Sequence, residues 1–207
     1  HVIGKDINRF HTLLWPAMLE SAGYELPKKI YVHGFLSLNG QRLSKSSGNV
    51  LYASDLVNDF GADGIRYFFL RNGPIVDDVD FTLEKIKEAY NSDLANGLGN
   101  LVARVAKLAE KIEFSLEPRT LAPKGASSAY NLEPKVVSFL DDFRVDLAIG
   151  FLWEKIKELD QKIDKAQPWK LANGDLKKFL DKIVPKIQSL AYNLQPFLPE
   201  TAAKIQN

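Results

Sequence analysis

Apolar positions change rhythm along this chain, and the changes divide it. Phe10, Leu13, Leu14, Ala17, Met18 and Ala22 recur at helical spacing. They predict a helix through INRFHTLLWPAMLESAG, capped by Asp6, bent at Pro16 and ended by Gly23. KIYVHGFLSL is dense in β-branched and aromatic residues and predicts a strand; Asn39-Gly40 predicts a tight turn. HVIG at the start reads as the end of a buried strand, so strand, helix and strand in succession predict a parallel α/β sheet. Short helices follow over ASDLVNDF and ADGIRYFFLRN, broken at Gly61 and ended at Gly73-Pro74. IVDDVDF reads as an acidic loop, and no strand is predicted after it.

From there the period is helical throughout. Thr82 is placed to cap a long helix, with Phe81 and Ile86 as a hydrophobic staple. Its apolar row runs Ile86, Tyr90, Leu94, Leu98, Leu101, Val105, Leu108 and Ile112. Residues 115–133 are rich in Pro, Ser, Ala and Gly and read as a loop. A second helix is predicted from about Pro134 to Ile163 with Leu147, Ile149, Leu152, Trp153, Ile156, Leu159 and Ile163 inward. A third is predicted from about Asp175 to Asn193, kinked near Pro185, and PETAAKIQN begins another. The fold class expected is mainly α, with α/β structure first and an antiparallel helical bundle after it.

Composition narrows the chemistry. Hydrophobic content of 45% and charged content of 26% in 207 residues are ordinary for a soluble globular protein. No apolar run approaches the roughly 18 residues of a membrane span. The net charge is +1, so a nucleic-acid surface must be a local patch. The chain has no cysteine, which excludes disulfides and thiolate metal sites and fits a reducing compartment. His1-Val2-Ile3-Gly4 lacks an initiator Met and a signal-peptide layout, from which we expect a piece of a longer protein cut inside a domain. His1, His11 and His33 all fall near the front, which points the chemistry there.

The most distinctive stretch is GQRLSKSSGN at Gly40–Asn49. It follows the predicted strand, where ligands of α/β sheets sit. Arg42 and Lys45 can meet an anion, Ser44, Ser46 and Ser47 can donate hydrogen bonds, and Gly40 and Gly48 let the backbone move. Such a loop suits charge that builds on a triphosphate during reaction; it equally suits a solvated hairpin tip. It is no Walker loop, since GxxxxGK[ST] is absent. Further along, a helical wheel with about 100° per residue puts Asn96, Asn100, Arg104, Lys107 and Lys111 on one polar stripe. That stripe can be a solvated face or can read RNA bases and phosphates. Trp169 in AQPWKLA, flanked by Lys165 and Lys170, can plug a helix junction or stack on an unpaired base. Trp153 reads as core. Asp77 to Asp80 (DDVD) would repel RNA; helix-start electrostatics accounts for it more simply than a metal site.

HGFLSLNGQRLSKSSGNV resembles the KMSKS region of class I aminoacyl-tRNA synthetases. HVIGKDINRFHTLLWPAMLESAG, FGADGIRYFFLRNGPIVDDVDF, YNSDLANGLGNLVARV and QKIDKAQPWKLA resemble the methionyl-tRNA synthetases in particular, across essentially the whole chain. The resemblance implies a ligase that activates methionine with ATP, presented with Mg2+ as substrate, to methionyl-adenylate and transfers it to tRNA(Met). Lys45 would contact the phosphates as pyrophosphate leaves, with Ser44 and Ser46 in the motif. Arg42 stands where the family has its first Lys and Leu43 where it has Met; Arg keeps the charge but changes its shape. Gly4, Lys5 and Asp6 match the family's adenosine-binding GKD segment, and His33 and Gly34 its HG on the strand under the nucleotide. Asp6 could equally only cap its helix. His11 and Trp15 match the methionine pocket, Trp15 with core packing as an alternative. Asn100, Arg104 and Trp169 match the anticodon site.

The resemblance divides the chain into the end of a Rossmann catalytic domain (1–50), a stem-contact junction (51–81) and a helical anticodon-binding domain (82–207). It implies a cytoplasmic protein with no membrane partner and no metal site in this chain. Its catalytic partner would be an N-terminal half carrying the HIGH motif, without which this chain would be inactive. A leucine-, isoleucine-, valine- or cysteine-type relative, or a non-catalytic tRNA-binding fragment, are the other readings.

Overall fold

The computed structural model describes residues 4–43, 51–115 and 132–206. It is mainly helical. A single 3-10 turn at Lys5–Ile7 leads to a π-helical turn at Phe10–Leu14 and then to α1, Trp15–Ser21. Asp6 lies inside the first turn and makes no capping hydrogen bond; Gly4 holds the position before it. The wider turn ahead of α1 meets the constraint set by Pro16, which has no N–H to give and whose ring crowds the preceding turn.

The sheet is small. β1, Leu36–Leu38, pairs antiparallel with β2, Gln41–Arg42, and parallel with β3, Val79–Phe81. Leu38 faces Gln41 across a two-residue connection in which Asn39 and Gly40 both have positive φ, 53° and 73°. That is the turn geometry Asn-Gly favours, because its twist matches the strands it joins. The sequence expectation needs two corrections here. Only the end of KIYVHGFLSL pairs as a strand, and the acidic segment read as a loop contains one. In IVDDVDF the aspartates Asp77, Asp78 and Asp80 leave only Val79 and Phe81 as an alternating apolar pair, too short a pattern to mark a strand.

α2, Ala53–Asn72, is kinked at Gly61, whose φ of 72° and ψ of 160° break the helix where the sequence placed the break. Thr82 caps α3, Leu83–Ala89, by accepting from Lys85 N at 3.2 Å. Phe81 and Ile86, the expected staple, are 2% and 1% exposed in one cluster with Leu38, Leu56, Ile65 and Phe68. The helical path then winds as a π-helix over Tyr90–Gly99 before α4, Asn100–Glu110. Leu98, Leu101 and Val105 are buried as expected, but Tyr90 is 37% exposed.

The predicted second helix is two, α5 (Pro134–Asp141) and α6 (Val145–Ala166). They meet at a corner where Phe143 has φ 58°, and that turn swings Leu147 outward to 40% exposure. Ile149, Leu152, Ile156, Leu159 and Ile163 are buried. α7, Asn173–Leu194, carries Pro185 within it, and α8, Pro199–Gln206, packs against it. These helices share a core with Tyr67 of α2. Tyr67 is fully buried; its hydroxyl donates to Asp93 Oδ2 at 2.6 Å and its ring lies 4.4 Å from that of Trp153. Burial first, then that hydrogen bond, push its phenol well above the usual range.

The first predicted helix departs most. Its apolar residues Phe10, Leu13, Leu14 and Met18 are 58%, 61%, 49% and 62% exposed. Among the described residues, nothing covers that face.

Candidate functional site

The front of the chain encloses a cavity of about 710 Å3 between the 4–22 segment and residues 25–33. Gly4, Lys5, His11, Trp15 and His33, five of the residues singled out by sequence, line it together with Tyr31 and Phe143. A volume of this order fits a small organic ligand. His11 Nδ1 lies 3.1 Å from Ile7 O, and His33 Nδ1 2.7 Å from Gly34 O. A carbonyl only accepts, so Nδ1 is the donor in each of these bonds. Trp15 is 38% exposed and turns into the cavity wall.

Asp6 and Gly34 do not line the cavity. The Asp6 carboxylate folds over Gly4, where a Cβ would collide with it. Gly34 is buried and its N–H donates to Pro74 O at 2.8 Å. A Cβ there would lie 2.1 Å from Asp77 O, so only glycine lets these backbones cross. Lys5 is held by an ion pair with Asp78 and sits 4.6 Å over the Phe35 ring.

The cavity's far wall was not legible beforehand. Tyr31 stacks on Phe143 at 5.2 Å, and its hydroxyl donates to Ile75 O. Burial and the nearby Asp146 raise the Tyr31 phenol. Lys29 donates to Asp141 O at 2.7 Å. The corner between α5 and α6 thus forms part of the wall. A lone Phe beside Asp-Asp carries no signal of that kind.

Lys45, Ser44 and Ser46 lie outside the described residues. Of Arg42 the structure gives the backbone, in β2. The start of that loop is held by Asp80. Asp80 Oδ1 accepts from Ser37 Oγ and from Gly40 N, each at 2.7 Å. These bonds, the Ser37 hydroxyl first, hold the Asp80 carboxyl below the usual carboxylate range. Asp80 thus ties the acidic segment to β1 and its turn by hydrogen bonds, two residues before the Thr82 cap.

A second cluster lies on the helices. Arg104 donates to Asp160 Oδ1 at 2.6 Å and to Asp164 Oδ1 at 2.5 Å. Its guanidinium is 5.7 Å from the centre of the Trp169 ring, which is 46% exposed. Asn100, one turn before Arg104 at the start of α4, is exposed, as are Lys165 and Lys170. The structure thus brings Arg104 and Trp169 together from distant parts of the chain. Gln167 makes this possible: its φ of 45° ends α6 and turns Pro168–Lys170 outward with Pro168 buried beneath. Asn96 falls in the π-helical stretch, where a constant 100° step no longer describes its direction. Among the described residues no His, Cys, Asp and Glu gather into a group able to hold a metal ion, and no helix is long and apolar enough to cross a membrane.

Comparison with known proteins gives the family. The family model described as tRNA synthetases class I (M) matches residues 1–106. The chain belongs to this family. It is 38% identical over 216 residues to a methionine–tRNA ligase of Clostridium acetobutylicum, a match covering 100% of this chain and 34% of that protein. With the methionine–tRNA ligase of Caldanaerobacter subterraneus subsp. tengcongensis the identity is 36% over 215 residues, covering 99% and 34%. The Mycobacterium tuberculosis methionyl-tRNA synthetase in complex with methionyl-adenylate superposes with a TM-score of 0.80 at 34% identity, covering 98% of this chain and 42% of that one. The chain therefore spans about a third of the length of the curated relatives it matches.

Proposed function

We propose that this chain is the C-terminal part of a methionine–tRNA ligase. In this reading the methionine carboxylate attacks the α-phosphorus of ATP, pyrophosphate leaves, and a terminal ribose hydroxyl of tRNA(Met) takes the methionyl group from the resulting adenylate with release of AMP. Residues 1–50 close a Rossmann-type catalytic domain, 51–81 form the stem-contact junction, and 82–207 form a helical bundle that reads the anticodon. A cytoplasmic location goes with this activity.

The observation that carries the reading is the convergence of Gly4, Lys5, His11, Trp15 and His33 on one cavity of ligand size. Imidazole and indole rings on a mainly apolar wall suit a small substrate with an apolar side chain and a few polar groups. Lys45, on the loop that continues from β2, supplies positive charge to the departing pyrophosphate, with Arg42, Ser44 and Ser46 around it; ATP enters with Mg2+ as substrate. Gly4, Lys5, Asp6, His33 and Gly34 shape the adenosine side. Asn100, Arg104 and Trp169 meet the anticodon, the Trp169 face open for a base to stack on.

The test is amino-acid-dependent ATP–pyrophosphate exchange by a complete ligase in which this chain replaces the matching third of the Clostridium acetobutylicum relative. Exchange should require methionine and ignore leucine, isoleucine, valine and cysteine. Lys45→Ala should lower its rate by roughly 100- to 1,000-fold, the cost of removing a donor aimed at transition-state charge. Exchange with another amino acid, or a Lys45→Ala enzyme at full rate, overturns the reading.

A further inference from the structure

The helical bundle reaches the cavity at the corner between α5 and α6. α5 ends there in a turn closed by two backbone bonds: Phe143 N donates to Leu140 O at 3.0 Å and Arg144 N to Phe139 O at 2.8 Å. Such a turn needs one residue in the left-handed region just past the helix, a place glycine usually fills because it has no Cβ to crowd the next carbonyl. Here Phe143 fills it at φ 58°. A bulky side chain in that conformation carries a backbone cost, and strain of this kind gathers where a side chain is needed for function. The ring does not fill the bundle. Phe139 and Leu140 pack on the helical core, whereas Phe143 is 43% exposed, lines the cavity, and stacks on Tyr31 with ring centres 5.2 Å apart and planes 10° apart. The wall that it meets has no sheet to hold it: among the described residues, 28–35 join no ladder. One end of that stretch is tied to the segment before β3, with Gly34 N donating to Pro74 O at 2.8 Å and Phe35 N to Asp78 Oδ1 at 2.7 Å. The end that carries Tyr31 is tied to the corner, with Lys29 donating to Asp141 O at 2.7 Å. Between the two ends the Tyr31 ring lies 6.5 Å from that of His33.

We infer that Phe143 is a positioning residue that the bundle contributes to the cavity: its ring holds Tyr31 in place and so fixes the stretch that presents His33. The inference rests on the function proposed above for the substrate it names and on geometry alone for the brace. His33 stands on the adenosine side in that reading, so the substrate that senses the brace is ATP. Tyr31 is held at two points, its hydroxyl on Ile75 O and its ring face on Phe143. Take the Phe143 ring away and Tyr31 keeps the hydroxyl bond but loses the surface on which it lies. The wall can then shift between its tied ends, and the favourable contact of a stacked aromatic pair goes with it. The cavity is thus incomplete without the corner of the bundle, before any tRNA binds.

The experiment compares Phe143→Gly and Phe143→Tyr with the parent. Glycine removes the ring and relieves the left-handed backbone, so the corner keeps its turn; tyrosine keeps a ring to stack. In the 207-residue chain, Phe143→Gly should shift the ring-proton resonances of Tyr31 and His33 and leave the Trp169 indole resonance in place, with a thermal midpoint within about 4 °C of the parent. In the complete ligase, Phe143→Gly should raise KM for ATP in methionine-dependent exchange by about 3- to 10-fold, the effect of losing one aromatic pair. The kcat and the KM for methionine should stay as they are, and Phe143→Tyr should restore most of the KM for ATP. Unmoved Tyr31 and His33 resonances overturn the inference, as does an unchanged KM for ATP. A loss of kcat that tracks a steep fall in the thermal midpoint also overturns it, because a corner with only a structural role would behave so. Should the parent ligase show no methionine-dependent exchange, the proposed function fails and the resonances still decide the brace.

Discussion

At the scale of single residues, Arg104 shows how a site can be half legible. The resemblance implied a common role for Arg104, Asn100 and the Trp of the separate QPW string, and the structure puts Arg104 beside Trp169. Its carboxylate partners gave no warning. Asp160 and Asp164 lie 56 and 60 positions away in sequence, on a helix whose polar face reads as plain solvated charge. Their bonds hold the guanidinium beside the indole, whose ring is 46% exposed. A base stacking on such a ring is worth roughly 1–3 kcal/mol. Trp169→Ala should accordingly weaken binding of a CAU anticodon stem-loop by about 5- to 150-fold, measured as Kd at one fixed salt against a stem-loop with scrambled bases. A preference for CAU that survives the substitution would remove Trp169 from the site. Asp146 carries a pH prediction at the same scale. Arg144 donates to it twice, at 2.9 Å and 2.6 Å, and that pairing first of all holds its carboxyl below the usual range. A carboxylate whose folded pKa is depressed stabilises the fold above its unfolded pKa of about 3.9 and loses that contribution as pH falls through the folded value. The thermal midpoint should therefore drop as pH is lowered below about 4, and Asp146→Asn should flatten that drop. Equal acid sensitivity in the variant would show that the pair contributes nothing.

Elements were legible where one period held over a long stretch. Gly61, the Thr82 cap, the Phe81–Ile86 staple and the inward row of α6 from Ile149 onward all follow from spacing and cap chemistry that tertiary structure did not override. The misses share a cause. β3 is three residues long, Val-Asp-Phe behind two further aspartates, so its own pattern is too short to declare a strand. The π-helical winding over Tyr90–Gly99 and the corner at Phe143 are departures from ideal geometry that a fixed angular step cannot express. The KIYVHGFLSL strand failed the other way: its composition is right, but over most of its length no described strand lies beside it to complete a ladder. What holds β3 is its apolar end. Phe81 is 2% exposed and meets the rings of Phe69 and Phe68 edge-on at 5.3 Å and 6.4 Å. Phe81→Ala should cost about 3–5 kcal/mol, as large aromatic truncations in packed cores do, read as a lower urea midpoint. The loss should loosen the Asn39-Gly40 turn along with the strand. A cost below about 1 kcal/mol would mean that the aspartate hydrogen bonds alone secure β3.

Across the whole molecule the contrast is between a back that is well covered and a front that is not. The helices from α3 to α8 bury a continuous apolar core with Tyr67 and Ile149 fully inside. The 7–22 segment instead turns Phe10, Leu13, Leu14 and Met18 to solvent on one helical face. An apolar face that wide is uncommon on a free surface and marks a place of contact. The relatives are about three times as long as the matched region, and the proposed function gives the face an occupant, the remainder of the catalytic domain carrying the HIGH motif. Exposure and function then predict opposite sensitivities to one change. Leu13→Glu or Met18→Lys should alter the stability of the chain itself by no more than about 0.5 kcal/mol, as surface substitutions do, because neither side chain is packed here. In the complete ligase the same charge would be buried without a partner, which is strongly unfavourable, and methionine-dependent exchange should fall with the loss of the catalytic domain's packing. Urea unfolding of the chain and exchange by the ligase, measured on the same substitutions, separate the possibilities. A ligase indifferent to Leu13→Glu would place the contact elsewhere, and a chain that unfolds with it would show that the face is already covered in solution.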